Sequence, residues 1–173
     1  IKLALTCFKA YDIRGRLGVD LDENIAYRIG AACAAALNAK TVVLGRDFRA
    51  SSEALAKSVA QGLIDQGCEV LDLGLSGTEE MYFATTHFGA DGGICVTASH
   101  NPMDYNGMKM VRGGSAPLDA ATGLARIKEL AELNAFENRA EPGKVRHVAG
   151  EARSAYVERI CKFVDIAALK PLK

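Results

Sequence analysis

The chain has 173 residues with equal numbers, 21 each, of basic (Lys, Arg) and acidic (Asp, Glu) side chains, which excludes a global field favouring nucleic acid or an anionic membrane surface. No run reaches the roughly 20 apolar residues that span a membrane, and five dispersed cysteines without a C-x-x-C pair indicate free thiols in a reducing cytoplasm. We therefore expect one cytoplasmic α/β domain with neither nucleic acid nor a membrane as partner.

The first predicted elements in chain order are a helix and a strand. Asp20, followed three residues later by Glu23, resembles a capping box, and apolar residues then recur at helical spacing as far as Asn38. Residues 41–44 form a short β-prone run that ends at Gly45. The pattern therefore predicts a helix that leads directly into a strand.

A second helix follows, for which Ser51 and Ser52 supply capping chemistry and Gly67 supplies a left-handed residue after the carboxyl end. The alternation continues with three further elements, which are a strand over 69–73, a helix capped by Thr78 and ending at about 87, and a strand over 92–96. This βαβαβ order predicts a parallel sheet.

Beyond residue 96 the strand direction is expected to change. Asn106-Gly107 is a turn dipeptide, and the alternating residues 108–111 are predicted to return antiparallel beside the preceding strand. The later elements are a helix capped by Asp119, a short strand within 144–148 and a helix from 151 to about 166. The sheet is therefore expected to be mixed, and the last helix to lead into a following domain.

The loop after strand 92–96 carries the most informative residues, Thr-Ala-Ser-His-Asn-Pro at 97–102. Loops at the carboxyl ends of strands are where open α/β sheets bind ligands. We interpret Ser99 as a covalent carrier of a phosphoryl group, because a phosphoserine needs donors nearby and His100, Asn101 and Lys109 supply them. The alternative is a turn whose side chains only satisfy its own backbone.

Two other clusters carry basic residues. Arg14, beside Gly15, offers a guanidinium that matches two phosphate oxygens, although a solvated turn is the better explanation of this cluster taken alone. The loop at 45–52 holds two arginines and precedes a helix N-terminus, which suits an anion. Its alternative explanation is helix capping by its serines with a local ion pair between Asp47 and Arg49.

Three other functions compete with phosphoryl transfer. A serine hydrolase would use Ser99 and His100 as nucleophile and base, but the G-x-S-x-G elbow is missing and adjacent residues rarely form such a pair. A nucleotide-binding module is disfavoured because neither G-x-G-x-x-G nor G-x-x-x-x-G-K-[ST] occurs. A non-catalytic α/β binding domain, whose loops only turn corners, stays open on the residues alone.

Several segments together resemble one known family. Residues 97–102 are similar to the phosphoserine loop of the α-D-phosphohexomutases, the family of phosphoglucomutases and phosphomannomutases. Segments 8–15 and 45–51 resemble the family's opening segment and its G-x-D-x-R-x-S loop, and residues 105–109 also fit. Residues 77–85 look most similar to bacterial phosphomannomutases of surface-polysaccharide synthesis.

The resemblance implies a three-layer α/β/α fold with a mixed, mostly parallel sheet. Residues 1–150 would form the family's first domain, and residues 151–173 a helix and the start of a connection to a second domain absent from this sequence. The implied reaction interconverts mannose 6-phosphate and mannose 1-phosphate through a phosphoserine and a bisphosphorylated sugar, feeding GDP-mannose and surface polysaccharide synthesis. The alternatives are a phosphoglucomutase or a dual-specificity phosphohexomutase.

The same resemblance implies roles for individual residues. Ser99 would donate and then accept the phosphoryl group and, through its phosphate, bind Mg²⁺, whose other ligands lie outside this sequence because no D-G-D-G-D-R loop is present. Arg14 and Lys109 would neutralise phosphate charge, and His100 would donate to the phosphate or substrate. General acid–base catalysis is left open between Lys109 and His100.

The implied substrate-binding and phosphate-binding residues are Tyr11, Arg14, Asn101 and Lys109, with Tyr11 packing near the serine. The implied partners are a hexose phosphate, with its bisphosphorylated form as activator and intermediate, and the remaining domains of the same polypeptide. The chain alone is expected to lack mutase turnover.

Overall fold

The computed structural model describes residues 3–137 and 139–171. Within these ranges the strands and helices are β1 (Ile13–Arg16), α1 (Glu23–Leu37), β2 (Thr41–Arg46), α2 (Ser52–Asp65), β3 (Glu69–Leu75), α3 (Thr78–His87), β4 (Gly92–Val96), β5 (Tyr105–Arg112), β6 (Ala116–Pro117), α4 (Ala125–Leu133), β7 (Val145–His147) and α5 (Ala149–Cys161).

The strands form one mixed sheet in the order β1-β5-β4-β2-β3-β7, with β6 beside β5. Strands β4, β2, β3 and β7 run parallel, while β5 pairs antiparallel with both β4 and β1. The predicted βαβαβ unit and the antiparallel return after residue 96 are confirmed. Sequence reasoning did not anticipate β1, a short edge strand in a segment that was interpreted as a turn.

Apolar side chains that alternate along the strands are buried on both faces of the sheet. Val42 belongs to a cluster with residues of α1, α2 and α4, whereas its neighbour Val43 packs with residues of α3 and α5. Strand β4 is buried at every residue, as expected for a strand covered on both faces. The three-layer α/β/α architecture implied by the family resemblance is therefore confirmed.

The start of α1 differs from the prediction. Asp22 is the capping residue, and its carboxylate accepts a hydrogen bond from the Ile25 N–H over 2.7 Å. The prediction that Asp20 caps this helix is wrong. The Asp20 carboxylate instead accepts hydrogen bonds from the Thr6 hydroxyl over 2.6 Å and from the Arg16 N–H.

Two other local predictions are corrected. The Asn106-Gly107 pair lies inside β5 and not in a turn, because the buried side chain of Asn106 finds partners on α2. Thr78 is the first residue of α3 and Gly77 precedes it as the capping position, so Thr78 makes no capping hydrogen bond. The prediction for Asp119 is confirmed, since its side chain caps an irregular helical turn at Ala120–Leu124 that leads into α4.

The cysteines are all free, as predicted, and those at positions 7, 33, 68 and 95 are buried. Burial raises the pKa of the Cys33 thiol to about 12, so its reactive thiolate is scarce at neutral pH. Within the described residues, every helix falls short of the length and apolarity needed to cross a bilayer.

Candidate active site

Ser99 stands on the loop that leaves the carboxyl end of β4, next to the loop that leaves the carboxyl end of the parallel neighbour β2. Its side chain is exposed, whereas the two residues before it are buried. The backbone of Ser99 has φ 55°, in the left-handed region that non-glycine residues rarely adopt. Its N–H donates to the Thr97 hydroxyl over 2.9 Å, which helps to hold this conformation. The sequence prediction of an exposed hydroxyl at the end of a buried strand is confirmed.

His100 is exposed and lies directly beside the serine hydroxyl. Its ring Nδ1 is 3.3 Å from Ser99 Oγ, at the long end of hydrogen-bonding range. Among the described residues no carboxylate pairs with the His100 ring, so a hydrolase triad is not assembled. The pair presents instead a hydroxyl and an imidazole to solvent on one side of the loop.

The buried side chain of Arg49 holds the Ser99 loop through hydrogen bonds to its backbone carbonyls. Its guanidinium donates to the carbonyl oxygens of Ser99, Asn101, Pro102 and Tyr105 at distances of 2.9, 2.6, 2.8 and 3.2 Å. The predicted ion pair with Asp47 is present at 3.5 Å, but it accounts for only part of what this side chain does. Arg49 is only 8% exposed, so it is a fixed support of the loop and is not open to an anion from solvent.

A second buried polar group links the loop region to helix α2. The Asn106 side-chain amide donates to the hydroxyls of Ser51 and Ser52 over 2.8 and 2.9 Å, and Ser52 in turn donates to the Asp47 carboxylate. The interpretation of the two serines as helix caps alone is wrong, because Ser51 makes no capping hydrogen bond. Their hydroxyls instead accept hydrogen bonds from the side chain of Asn106 on β5.

Arg14 and Lys109 share one face of the sheet. Arg14 lies opposite Gly107 in the β1–β5 pairing, and Thr97 lies on the other side of Gly107, donating its N–H to the Gly107 carbonyl over 3.0 Å. Lys109 is two residues further along β5, opposite Cys95. Side chains two apart on a strand point to the same face, and diagonal neighbours lie about 7–8 Å apart, within reach of long side chains.

The two cations differ in their partners. Arg14 is held by Asp12 at 2.8 Å and its side chain stays 30% exposed. In the described part of the chain, Lys109 forms neither an ion pair nor a hydrogen bond, although it is half-buried. A flexible cation without a partner is suited to an anionic ligand near the loop.

The remaining predicted site residues are Asn101 and Tyr11. Asn101 is half-buried on the serine loop, and its side-chain amide donates to no acceptor among the described residues. Tyr11 is 76% exposed, so its side chain does not pack against the serine here and its role stays a prediction. The structure thus places Ser99, His100 and Asn101 on one loop, and it places the cations Arg14 and Lys109 on one face of the neighbouring strands β1 and β5.

Sequence reasoning missed two residues of this arrangement, Arg49 as the support of the loop and Asn106 as the link to α2. Both act on partners about fifty positions away, so no local spacing reveals them. The one available signal for Arg49 was its place in the G-x-D-x-R-x-S segment, which singles out this arginine only after the family is recognised.

The chain offers little to a metal ion by itself. No group of three or more His, Cys, Asp or Glu side chains that could hold a metal occurs among residues 3–137 and 139–171. The described residues therefore do not form a metal site on their own.

Comparisons with known proteins agree on one family. Residues 6–137 match the family model described as phosphoglucomutase/phosphomannomutase, alpha/beta/alpha domain I. A phosphomannomutase of Salmonella typhimurium is 56% identical over 171 residues, and a phosphomannomutase of Klebsiella pneumoniae is 61% identical over 132 residues. The match covers 98% of this chain and 37% of the Salmonella protein, against 76% of this chain and 84% of the Klebsiella protein.

A solved structure shares the architecture. The crystal structure of a phosphoglucomutase/phosphomannomutase family protein from Burkholderia thailandensis superposes with a TM-score of 0.79 at 34% sequence identity, covering 91% of this chain and 36% of that one. This chain therefore spans little more than a third of the length of both the Salmonella and the Burkholderia proteins.

Proposed function

The chain belongs to the phosphoglucomutase/phosphomannomutase family, and on that premise we propose that Ser99 carries the phosphoryl group of a phosphomannomutase. The observation that carries the proposal is the placement of Ser99, whose hydroxyl is exposed on a loop fixed from below by Arg49 and flanked by Arg14 and Lys109. An exposed hydroxyl on a supported loop, with two cations on the neighbouring strands β1 and β5, suits a group that alternates between neutral and dianionic forms.

The proposed reaction has two balanced transfers. A hydroxyl oxygen of mannose 6-phosphate attacks the phosphorus of phosphoserine 99, the bond from phosphorus to Ser99 Oγ breaks, and the hydroxyl proton passes to a general base. The bisphosphorylated sugar then reorients and Ser99 Oγ attacks the phosphorus of the 6-phosphate. The bond from that phosphorus to the C6 oxygen breaks, and the protonated base returns its proton to the C6 oxygen. This step releases mannose 1-phosphate and restores the phosphoserine.

Positioning and charge neutralisation are the main contributions that a protein makes to such a transfer. We assign Arg14 and Lys109 to the negative charge around the phosphorus, and Asn101 and Tyr11 to binding the substrate. His100, 3.3 Å from the serine oxygen, is placed to hold or move a proton at that atom. Lys109 is the alternative group for proton transfer, and its side chain has no other partner among the described residues.

Further domains would complete this site. We propose that residues 1–150 form the first domain and that residues 151–173 begin the connection to the next. The first turns of α5 still contact the sheet domain, because Ala152 is buried and Arg153 pairs with Glu80 at 2.6 Å. The family also implies a Mg²⁺ ion. Carboxylates of the further domains would hold this ion, and it would neutralise charge on the phosphate of Ser99. We propose that the complete enzyme acts in the cytoplasm.

The test replaces Ser99 by alanine in the complete polypeptide that carries this chain. We expect conversion of mannose 6-phosphate to fall to background, and intact-mass measurement to find one phosphoryl group on the unaltered protein and none on S99A. The matched control is Ser154→Ala, an exposed serine on α5, which is expected to keep both activity and phosphoryl group. Normal turnover by S99A would disprove the proposal.

The second candidate is a phosphoglucomutase or a dual-specificity enzyme, because the description of the family model names phosphoglucomutase beside phosphomannomutase. The two sugars differ in the orientation of one hydroxyl. Comparing kcat/KM for mannose 1-phosphate and glucose 1-phosphate separates them, and a ratio near one indicates dual specificity. Turnover of neither sugar, with no phosphoryl group on Ser99, would favour a non-catalytic binding domain.

A further inference from the structure

The Ser99 loop is held mainly by one side chain. Residues 97–104 lie between β4 and β5, and four carbonyl oxygens in this region, those of Ser99, Asn101, Pro102 and Tyr105, all accept from the Arg49 guanidinium. Between its ends the loop has only local hydrogen bonds besides these, such as that from the Asn101 N–H to the Ala98 carbonyl over 3.1 Å among the described residues. At its ends, the Thr97 N–H donates to the Gly107 carbonyl over 3.0 Å and the Asp104 carbonyl accepts from the Leu17 N–H over 2.8 Å. Arg49 is therefore the side chain that joins the middle of the loop to the body of the domain.

Burial makes this connection strong and specific. A guanidinium that is 8% exposed has lost nearly all of its hydration, so its donors must be satisfied by protein. Four carbonyls and the Asp47 carboxylate, 3.5 Å from Nε, satisfy them. Asp47 is in turn fixed by Ser52 and, through it, by Asn106. The support beneath the serine is thus a closed polar network and not a mobile surface contact.

The direction of the carbonyls determines where the amide protons of the loop point. No cis peptide bond is present among the described residues, and in a trans peptide the N–H points opposite to the carbonyl. The carbonyls of Ser99 and Pro102 point toward the Arg49 guanidinium. The N–H groups that follow them in the chain, those of His100 and Met103, therefore point away from Arg49, toward the exposed side of the loop. Neither N–H donates to an acceptor among the described residues.

We propose that Arg49 is a positioning residue for phosphoryl transfer. By holding four carbonyls it keeps Ser99 in its left-handed conformation and presents the backbone N–H groups of His100 and Met103 as donors to the phosphoryl oxygens. The proposal rests on the assignment of Ser99 as the phosphoryl carrier. Arg49 does not touch the reacting atoms, and it acts through the loop.

The test compares Arg49→Lys and Arg49→Met with the unaltered enzyme, using the complete polypeptide. A lysine keeps the charge, but its compact ammonium does not span four carbonyls as a planar fork does. We therefore expect kcat to fall at least 30-fold in both variants while KM for the hexose phosphate changes less than threefold. Intact-mass measurement after incubation with the bisphosphorylated sugar is expected to show slower phosphorylation of Ser99.

A stability control separates positioning from general loss of structure. Ile127→Val, a fully buried position on α4 remote in sequence from both loops, is expected to lower the melting temperature while leaving kcat within twofold. If R49M fails to fold, R49K carries the test at a temperature where it is fully folded. A kcat of R49K within threefold of the unaltered value would overturn the proposal. The proposal would also be overturned if R49K and I127V had the same melting temperature and R49K lost no more kcat than I127V.

The outcomes also distinguish this proposal from the one it rests on. Full turnover by S99A would remove Ser99 as the carrier, and with it any positioning role for Arg49. An inactive S99A with a fully active R49K would overturn only the role of Arg49.

Discussion

Asn106 Nδ2 donates a hydrogen bond to Ser52 Oγ over 2.9 Å, joining the start of β5 to the first turn of α2. Ser52 passes the connection on to Asp47, whose carboxylate also accepts from the Arg49 N–H over 3.0 Å. Since Arg49 holds the serine loop, the position of Ser99 depends on an asparagine seven residues further along the chain that never contacts it directly.

Asn106→Ala is expected to destabilise the chain by about 1–3 kcal/mol, because the fully buried Ser52 hydroxyl loses its donor where water does not replace it, and the half-buried Ser51 loses the same donor. Urea unfolding followed by circular dichroism measures the change. The control is Asn24→Ala, an exposed asparagine on α1, for which a change within about 0.5 kcal/mol is expected. Equal effects of the two substitutions would contradict the buried network.

Gly107→Ala is expected to separate β1 from β5. A Cβ atom at this position would overlap the carbonyl oxygen of Ile13 and lie 3.0 Å from its carbonyl carbon, and both are backbone atoms that cannot turn aside. We expect a loss of about 2 kcal/mol or more in the free energy of unfolding. Gly150→Ala, where a Cβ meets nothing within 4 Å, is expected instead to raise stability by about 0.4–1 kcal/mol. A neutral G107A would show that β1 shifts without cost.

Lys109→Met in the complete polypeptide is expected to lower kcat by about 10²-fold, because it removes a positive charge near the transferring group. Stability should hardly change, since Lys109 pairs with no described residue. The matched control is Lys57→Met, which removes an exposed lysine that pairs with Glu53 at 2.8 Å on α2. Turnover of K109M within threefold of the unaltered enzyme would exclude Lys109 from the site.

The Asp119 cap of the helical turn Ala120–Leu124 is expected to respond to acid. The Thr122 hydroxyl and the Thr122 N–H donate to the Asp119 carboxylate and hold the pKa of that carboxyl below its ordinary value of 3.8. A lowered folded-state pKa means that the charged form adds stability above pH 3.8, and that this stability is lost as the pH falls through the folded-state value. Asp119→Asn keeps a capping side chain but does not titrate.

Urea midpoints measured from pH 6 down to pH 3 check this expectation. The unaltered chain should exceed D119N in stability at pH 6, and the difference should shrink as the pH falls below 3.8. A difference that stays constant over the whole range would argue against ionisation of Asp119 as its origin.

Local periodicity predicted the elements from α1 to β4 because each is specified by its own residues. Ser99 was found for a similar reason, since a six-residue motif and a preceding apolar strand sufficed. The support of the loop was not found, because Arg49 reaches carbonyls 50 to 56 positions away, a distance that no spacing rule covers. The misplaced turn at Asn106-Gly107 has the same origin, since the partners that keep Asn106 in a strand lie on α2.

The left-handed backbone at residue 99 also limits which hydroxyl-bearing residue can occupy this position. At φ 55° a side chain branched at Cβ crowds its own backbone, and threonine is strongly disfavoured there. Serine and threonine have hydroxyls of similar chemistry, so reactivity alone does not choose between them. The conformation imposed on this loop does, and Ser99→Thr is therefore a more severe change than its chemistry suggests.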